Sequence, residues 1–247
     1  MENNPASSVR DALCQLAEAR GATGAPRIER VELEGRVYWI KRPEVLSWRY
    51  RLQKGDPRAA FERERRAFHE MNAVNAPVPR IQAEGPDFLV LPDCGTDLRR
   101  RFRDEDDDGK RKALLCDAAQ ALGRFHTLGF THGRPSPKDM CLAKDGILML
   151  DFERYREENN TPRGHARDLV VFAFNVIAYS PRAKQDLPEA MQTYRENAPD
   201  GTWELAQEWL ARLRWVSWLA IPGQWRRGKK GKEFKAVPQL FELFRDA

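Results

Sequence analysis

Cysteine is scarce in this 247-residue chain and nowhere clustered. Cys14, Cys94, Cys116 and Cys141 are widely spaced and form no CxxC pair, so neither a zinc site nor a disulfide framework is indicated. Long apolar runs are missing as well: no stretch approaches the roughly 18 residues needed to span a bilayer. The opening Met1-Glu2-Asn3-Asn4-Pro5 has no basic region followed by an apolar core, so no secretory signal is read there. Free thiols, no span and no signal give the expectation of a cytoplasmic protein. There are no internal repeats. Among the histidines, no Ser/His/Asp or Cys/His arrangement stands out. Glycine is not concentrated into a phosphate-cradling GxGxxG. The one glycine cluster ahead of Lys41, Gly21-Ala22-Thr23-Gly24, reads as a helix C-cap and linker.

What is present is a chain able to bury a core. Hydrophobic residues make up 41% and charged residues 32%, with a net charge of +5 and a pI near 9.1. The length suits one large domain or two small lobes around a cleft. The mild basic excess is compatible with phosphorylated ligands, anionic lipid headgroups or nucleic acid, and equally with a solvated surface.

Periodicity divides the chain. Val9, Leu13 and Leu16 mark one face of a helix over Ser7 to Arg20. Ile28 to Leu33 and Arg36 to Lys41 read as strands around a two-residue turn at Glu34-Gly35. Ala59 to Val74 reads as a helix with Phe61, Phe68 and Met71 on one side, closed by Pro77 and Pro79. Strands are expected at Arg80 to Ala83 and Phe88 to Leu91. The acidic run Asp104 to Asp108 reads as a solvated loop. Lys110 to Leu128 is a strong helical pattern. Cys141 to Ala143 and Ile147 to Asp151 read as a short hairpin, and Leu169 to Tyr179, apolar all round apart from Asn175, as a buried helix. More helices follow from Pro188. Strands come early and helices later, an α+β chain: residues 1–94 carry the N-terminal helix, the sheet and one Glu-bearing helix, and residues 95–247 the helical remainder.

Several residues stand out chemically. Lys41 ends an apolar strand. Glu64 lies on the apolar face of the next helix, where a carboxylate needs a partner, and Lys41 is the natural candidate. Further on, His132-Gly133-Arg134-Pro135-Ser136-Pro137-Lys138-Asp139-Met140 precedes Leu148-Met149-Leu150-Asp151-Phe152-Glu153.

In order and spacing these segments, from about Ile28 to about Tyr179, resemble the protein kinase-like superfamily, with the bacterial lipopolysaccharide (Kdo/heptose) kinases as the nearest likeness. The resemblance implies a two-lobed kinase-like fold, ATP and Mg2+ as cofactors, and a phosphotransferase acting on a hydroxyl of a core sugar or related small-molecule or glycolipid acceptor. Carried over, Lys41 contacts phosphates, Glu64 holds Lys41, and Leu91, Pro92, Asp93 and Cys94 line the adenine slot. Asp139 and Asp151 bind the metal, His132 anchors the loop, and Asp168 caps its backbone. His69, His126 and His165 read as ordinary.

One position departs from that pattern. Arg134 stands where such kinases keep their catalytic aspartate, and arginine is no base at neutral pH. Phosphoryl transfer depends mainly on positioning and electrostatics, so Arg134 would bind the transferring phosphate or an anionic acceptor, with Asp139 supplying a carboxylate. The other reading is a salt bridge from Arg134 to Asp139 or Asp151 that fills the metal's place, giving a pseudokinase that serves as a nucleotide-binding or regulatory module. A protein kinase is the third reading, with no recognisable activation segment after Glu153.

The C-terminal Trp203, Trp209, Trp215, Trp218 and Trp225 precede the basic run Arg226 to Lys232. They suit peripheral contact with an anionic membrane at the inner membrane face, or a helical core followed by a solvated loop. No stacking motif interleaves the charges, so nucleic acid is not an expected partner.

Overall fold

In the computed structural model, β1 (Ile28–Leu33) and β2 (Arg36–Lys41) meet at Glu34 and Gly35. Both turn residues take positive φ, 51° and 71°. That geometry matches the right-handed twist of the flanking strands and sets the register Leu33 to Arg36 through Ile28 to Lys41. The structure describes residues 5–21, 26–44, 56–213 and 229–246. These fall into two compact units, Met1–Cys94 and Gly95–Ala247.

In the first unit, β3 (Ala83–Gly85) and β4 (Phe88–Pro92) complete an antiparallel sheet ordered β1-β2-β4-β3 among the described residues. The period of two sends Val31, Tyr38, Ile40 and Val90 to one face, where they pack with Leu13 and Ala17 of helix α1 (Pro5–Gly21). Helix α2 (Pro57–Ala73) starts where Asp56 accepts a hydrogen bond from the Arg58 N–H, with Pro57 in the first turn. Its buried side is Phe61, Glu64, Ala67, Phe68 and Met71.

The strand expected at Arg80 to Ala83 begins instead at Ala83. Asn72 at the end of α2 accepts from the Ile81 N–H at 3.0 Å and donates to the Pro79 carbonyl at 3.1 Å, so this stretch is tied to the helix.

The second unit is mostly helical. Helix α3 (Leu98–Asp104) precedes α4 (Asp108–Thr127). The acidic run does more than face solvent: Asp107 caps α4 by accepting from the Lys110 N–H, and Asp108 pairs with the buried Arg111. A short hairpin follows, β5 (Met140–Ala143) and β6 (Gly146–Met149). Helix α5 (Pro162–Tyr179) starts well before Leu169, because Thr161 caps it with Pro162 at its first position. Helices α6 (Leu187–Asn197), α7 (Thr202–Arg212) and α8 (Lys229–Asp246) complete the unit. Helix α6 packs on α4, and α7 and α8 pack on α5. At the α4–α6 contact, a Cβ on Gly123 would come within 3.1 Å of the Tyr194 carbonyl, so glycine is what permits that approach. No described helix is long and apolar enough to cross a membrane.

Candidate active site

Strand β2 delivers Lys41 to the sheet face opposite Tyr38 and Ile40. There Lys41 Nζ donates to Glu64 Oε1 at 2.5 Å, with the lysine half-buried and the glutamate buried. Removing either partner would leave the other charge uncompensated away from water, a costly outcome. Leu91 and Pro92 end β4, and Asp93 follows. Asp93 Oδ1 accepts from the Trp39 indole at 2.7 Å, and Cys94 Sγ contacts the Pro92 carbonyl at 3.6 Å. Among the described residues no strand precedes β1. The chain upstream is α1, which ends at Gly21; Ala22 to Gly24 of the glycine cluster lie outside the described residues.

In the second unit, the loop after α4 hangs from α5. The His132 N–H donates to Asp168 Oδ2 at 2.5 Å and the Gly133 N–H to Asp168 Oδ1 at 3.0 Å. Two turns further along α5, Asn175 donates to the Pro135 carbonyl at 3.1 Å. Asn175, alone among the apolar residues from Leu169 to Tyr179, is the sequence signal for this second tether. His132 Nε2 meets the Leu150 carbonyl at 2.8 Å, joining the loop to the residue before Asp151. Gly133 has φ 87°, and a Cβ there would lie 2.5 Å from the Arg154 carbonyl, so this position accepts glycine alone without rearrangement.

Asp139 is 5% exposed, and its Oδ2 has no hydrogen-bond partner. Lys138 Nζ lies 2.9 Å from the other oxygen. Burial pushes the Asp139 carboxyl up; Lys138 opposes this, and the charge of Asp151 adds to it. The Leu150 N–H donates to the Asp139 carbonyl at 2.8 Å, which brings the two acidic residues' backbones side by side. Asp151 sits at φ 63°, ψ 69°, a left-handed conformation uncommon outside glycine, though Asp and Asn adopt it more readily than other residues. Arg134 takes neither of the partners expected for it. Its guanidinium lies 3.6 Å from Glu153, and both side chains are partly exposed, a weak pair. Arg134 is thus engaged away from Asp139, whose salt bridge is with Lys138.

Residues 28–227 match the phosphotransferase enzyme family (APH). The chain belongs to this family. An uncharacterized protein of Haemophilus influenzae is 27% identical over 219 residues, spanning 88% of this chain and 89% of that one. The solved structure of a divergent kinase lacking the glycine-rich loop, which regulates membrane ultrastructure of the Toxoplasma parasitophorous vacuole, is similar with a TM-score of 0.49 and 14% identity. That likeness covers 76% of this chain and 80% of that chain.

Phosphotransferase family membership implies a nucleotide and, in general terms, a divalent cation. Among the described residues no group of three or more His, Cys, Asp or Glu is placed to hold a metal. Mg2+ bound with phosphates needs only one or two protein carboxylates, and a buried, unpartnered Asp139 oxygen beside the charge of Asp151 fits that demand.

Behind the loop, His126 and His165 are more than ordinary core residues. Their rings stack at 4.6 Å. His126 Nδ1 pairs with the Tyr194 hydroxyl at 2.5 Å, and its Nε2 lies 3.6 Å from Asp168. Burial lowers both imidazoles, His165 to about 4. The folded state therefore binds fewer protons than the unfolded one below the ordinary value of 6.5, so stability falls with pH from there toward about 4. Asp139, shifted upward, works in the opposite sense. Urea titrations at pH 7.5, 6 and 5 check this; equal midpoints would refute it.

Of the C-terminal aromatics, Trp203 and Trp209 lie on α7, while Trp215, Trp218, Trp225 and residues 226–228 lie outside the described residues.

Proposed function

We propose that this protein is an ATP- and Mg2+-dependent phosphotransferase acting on a hydroxyl of a lipopolysaccharide core sugar or a related glycolipid or small-molecule acceptor. The observation that carries the reading is Asp139: a buried carboxylate with one orphaned oxygen, held beside the left-handed Asp151. Asp139 and Asp151 would hold the metal, which when bound neutralises phosphate charge. Lys41, oriented by Glu64, would contact phosphates, and Leu91 to Cys94 would line the base slot. An anionic acceptor is supported by a cavity of about 260 Å3 whose lining includes Arg163, Arg167, Arg212 and Trp209, with Glu208 offsetting Arg212 at 3.8 Å. Its wall is joined to the loop through Asn160, whose Oδ1 accepts from the Thr131 N–H at 2.9 Å. Arg134, whose pair with Glu153 is a weak surface one, would swing to the transferring phosphate or to the acceptor.

The same Arg134 supports a second reading, a pseudokinase that binds nucleotide and regulates, because no carboxylate occupies its place. A thermal-shift titration separates the two. ATP with Mg2+ at a hundred times its dissociation constant adds about 2.7 kcal/mol of stability. Asp151→Asn removes the Mg2+-dependent part; asparagine tolerates the left-handed backbone as aspartate does, so the variant isolates charge. Stabilisation with ATP turnover supports the enzyme, stabilisation without turnover the pseudokinase. No response to any nucleotide sinks the enzyme and leaves only a regulatory module that binds no nucleotide.

A further inference from the structure

We propose that Lys138 is a built-in counter-ion that competes with a divalent cation for Asp139, so that loading the site requires this ammonium to leave. The inference rests on the reading of Asp139 and Asp151 as metal ligands and concerns the second unit alone. Lys138 sits in the single helical turn Pro137–Asp139, where Pro137 fixes the backbone just before it. Its side chain is 38% exposed, so water is open to it. The ammonium lies instead 2.9 Å from Oδ1 of the buried Asp139 carboxylate. The second oxygen, Oδ2, is closed to solvent and makes no hydrogen bond. The oxygen left for a cation arriving from water is the one that Lys138 holds.

Charge explains both why the pair forms and why it is replaceable. The charge of Asp151 acts on Asp139, and the bond from the Leu150 N–H to the Asp139 carbonyl keeps their backbones side by side. Two neighbouring carboxylates call for two positive charges. Arg134, the other strong cation of the loop, goes to Glu153, so Lys138 supplies only one. A divalent cation supplies both, and it can bridge two carboxylates, which an ammonium seated on one oxygen does not. Lys138 is also readily released. An ammonium is a strongly hydrated point charge on a flexible stem, and no other bond holds this one among the described residues. The pair thus keeps Asp139 compensated without a metal, and it weakens the site's hold on one.

Calorimetric titration of the full chain with Mn2+ alone tests this, in a buffer alkaline enough to keep both carboxylates ionised. Lys138→Met keeps the stem and drops the charge. It should bind Mn2+ about tenfold more tightly than the unmodified protein, the scale on which a half-buried ion pair acts. Lys138→Gln should do the same, and Lys138→Arg should stay within about threefold of the unmodified protein. Without added metal, Lys138→Met should melt about 2–4 °C lower, and Mn2+ should reverse that loss. Adding Asp139→Asn to Lys138→Met should abolish the gain in affinity. Unchanged or weaker Mn2+ binding in whichever neutral variant folds overturns the inference, because Lys138 is then a surface pair or a support for the turn. So does a gain that survives Asp139→Asn, which places the cation elsewhere. Binding that is lost in Asp139→Asn yet unmoved in Lys138→Met leaves the metal reading standing and this inference fallen. Failure of Mn2+ to bind the unmodified protein and both neutral variants overturns the metal reading itself, and this inference with it.

Discussion

Asp168→Ala is expected to destabilise the second unit by about 3–5 kcal/mol, among the largest effects of any single substitution in the chain. Asp168 is 2% exposed, and its carboxylate accepts from the backbone N–H groups of both His132 and Gly133. Removing it leaves two donors without an acceptor, the buried His132 N–H and the partly buried Gly133 N–H, each costing up to about 1–3 kcal/mol. It also takes away the negative charge nearest His126, whose burial already disfavours protonation. Asp168→Asn keeps one acceptor oxygen and should cost roughly half as much. Hydrogen exchange at the His132 and Gly133 amides reads the result where it arises, with urea unfolding as the global measure. A loss below about 1 kcal/mol for the alanine variant would show that the loop's other tethers, through Asn175, Leu150 and Asn160, suffice to hold it.

Asp139→Asn is expected to move stability and activity in opposite directions. The ionised carboxylate is buried at one oxygen, lacks a hydrogen bond there and feels the charge of Asp151, so it is held at a cost to the folded state. A neutral isostere keeps an acceptor for Lys138 and removes the repulsion, and a gain of about 0.5–2 kcal/mol in the absence of ligand follows. The same change removes one of two proposed metal ligands. Turnover should fall by about 10³ or more, the scale on which electrostatic stabilisation acts in such sites, and the Mg2+-dependent thermal shift should vanish. Paired melting curves and an ATP-consumption assay check both halves. A variant that is less stable and still active would place the metal elsewhere.

Much of the secondary structure was legible because its signals are local. Glu34-Gly35 between two alternating runs marks a hairpin whose ends agree with the reading residue for residue. The apolar spacing of Phe61, Phe68 and Met71 marks α2. Where the reading slipped, the competing signal was also local but overlooked. Thr161-Pro162 is a helix start, and Asp107 is a cap. The Arg80 stretch fails as a strand for a different reason: Asn72 captures its backbone from a helix several residues earlier, which no window over Arg80 to Ala83 reveals.

The candidate site divides along the same line. Residue types and order were enough to single out Lys41 and Glu64, because a strand end and an apolar helix face restrict what chemistry is present; Asp139, Asp151 and Asp168 were singled out by the resemblance of their segments to kinase-like proteins. Which charge meets which was decided only in three dimensions. Arg134 pairs with Glu153, 19 positions away, and Lys138 takes Asp139, its own neighbour in sequence. The stack of His126 on His165 and the latch of Trp39 on Asp93 join residues far apart in the chain. Such pairings depend on loop path, burial and side-chain direction, which the periodicity of a sequence does not encode. Composition and spacing by themselves determined the kind of fold and the inventory of charged groups. The tertiary structure decided which of those groups are neutralised, which are buried without a partner, and so which remain to act on a ligand.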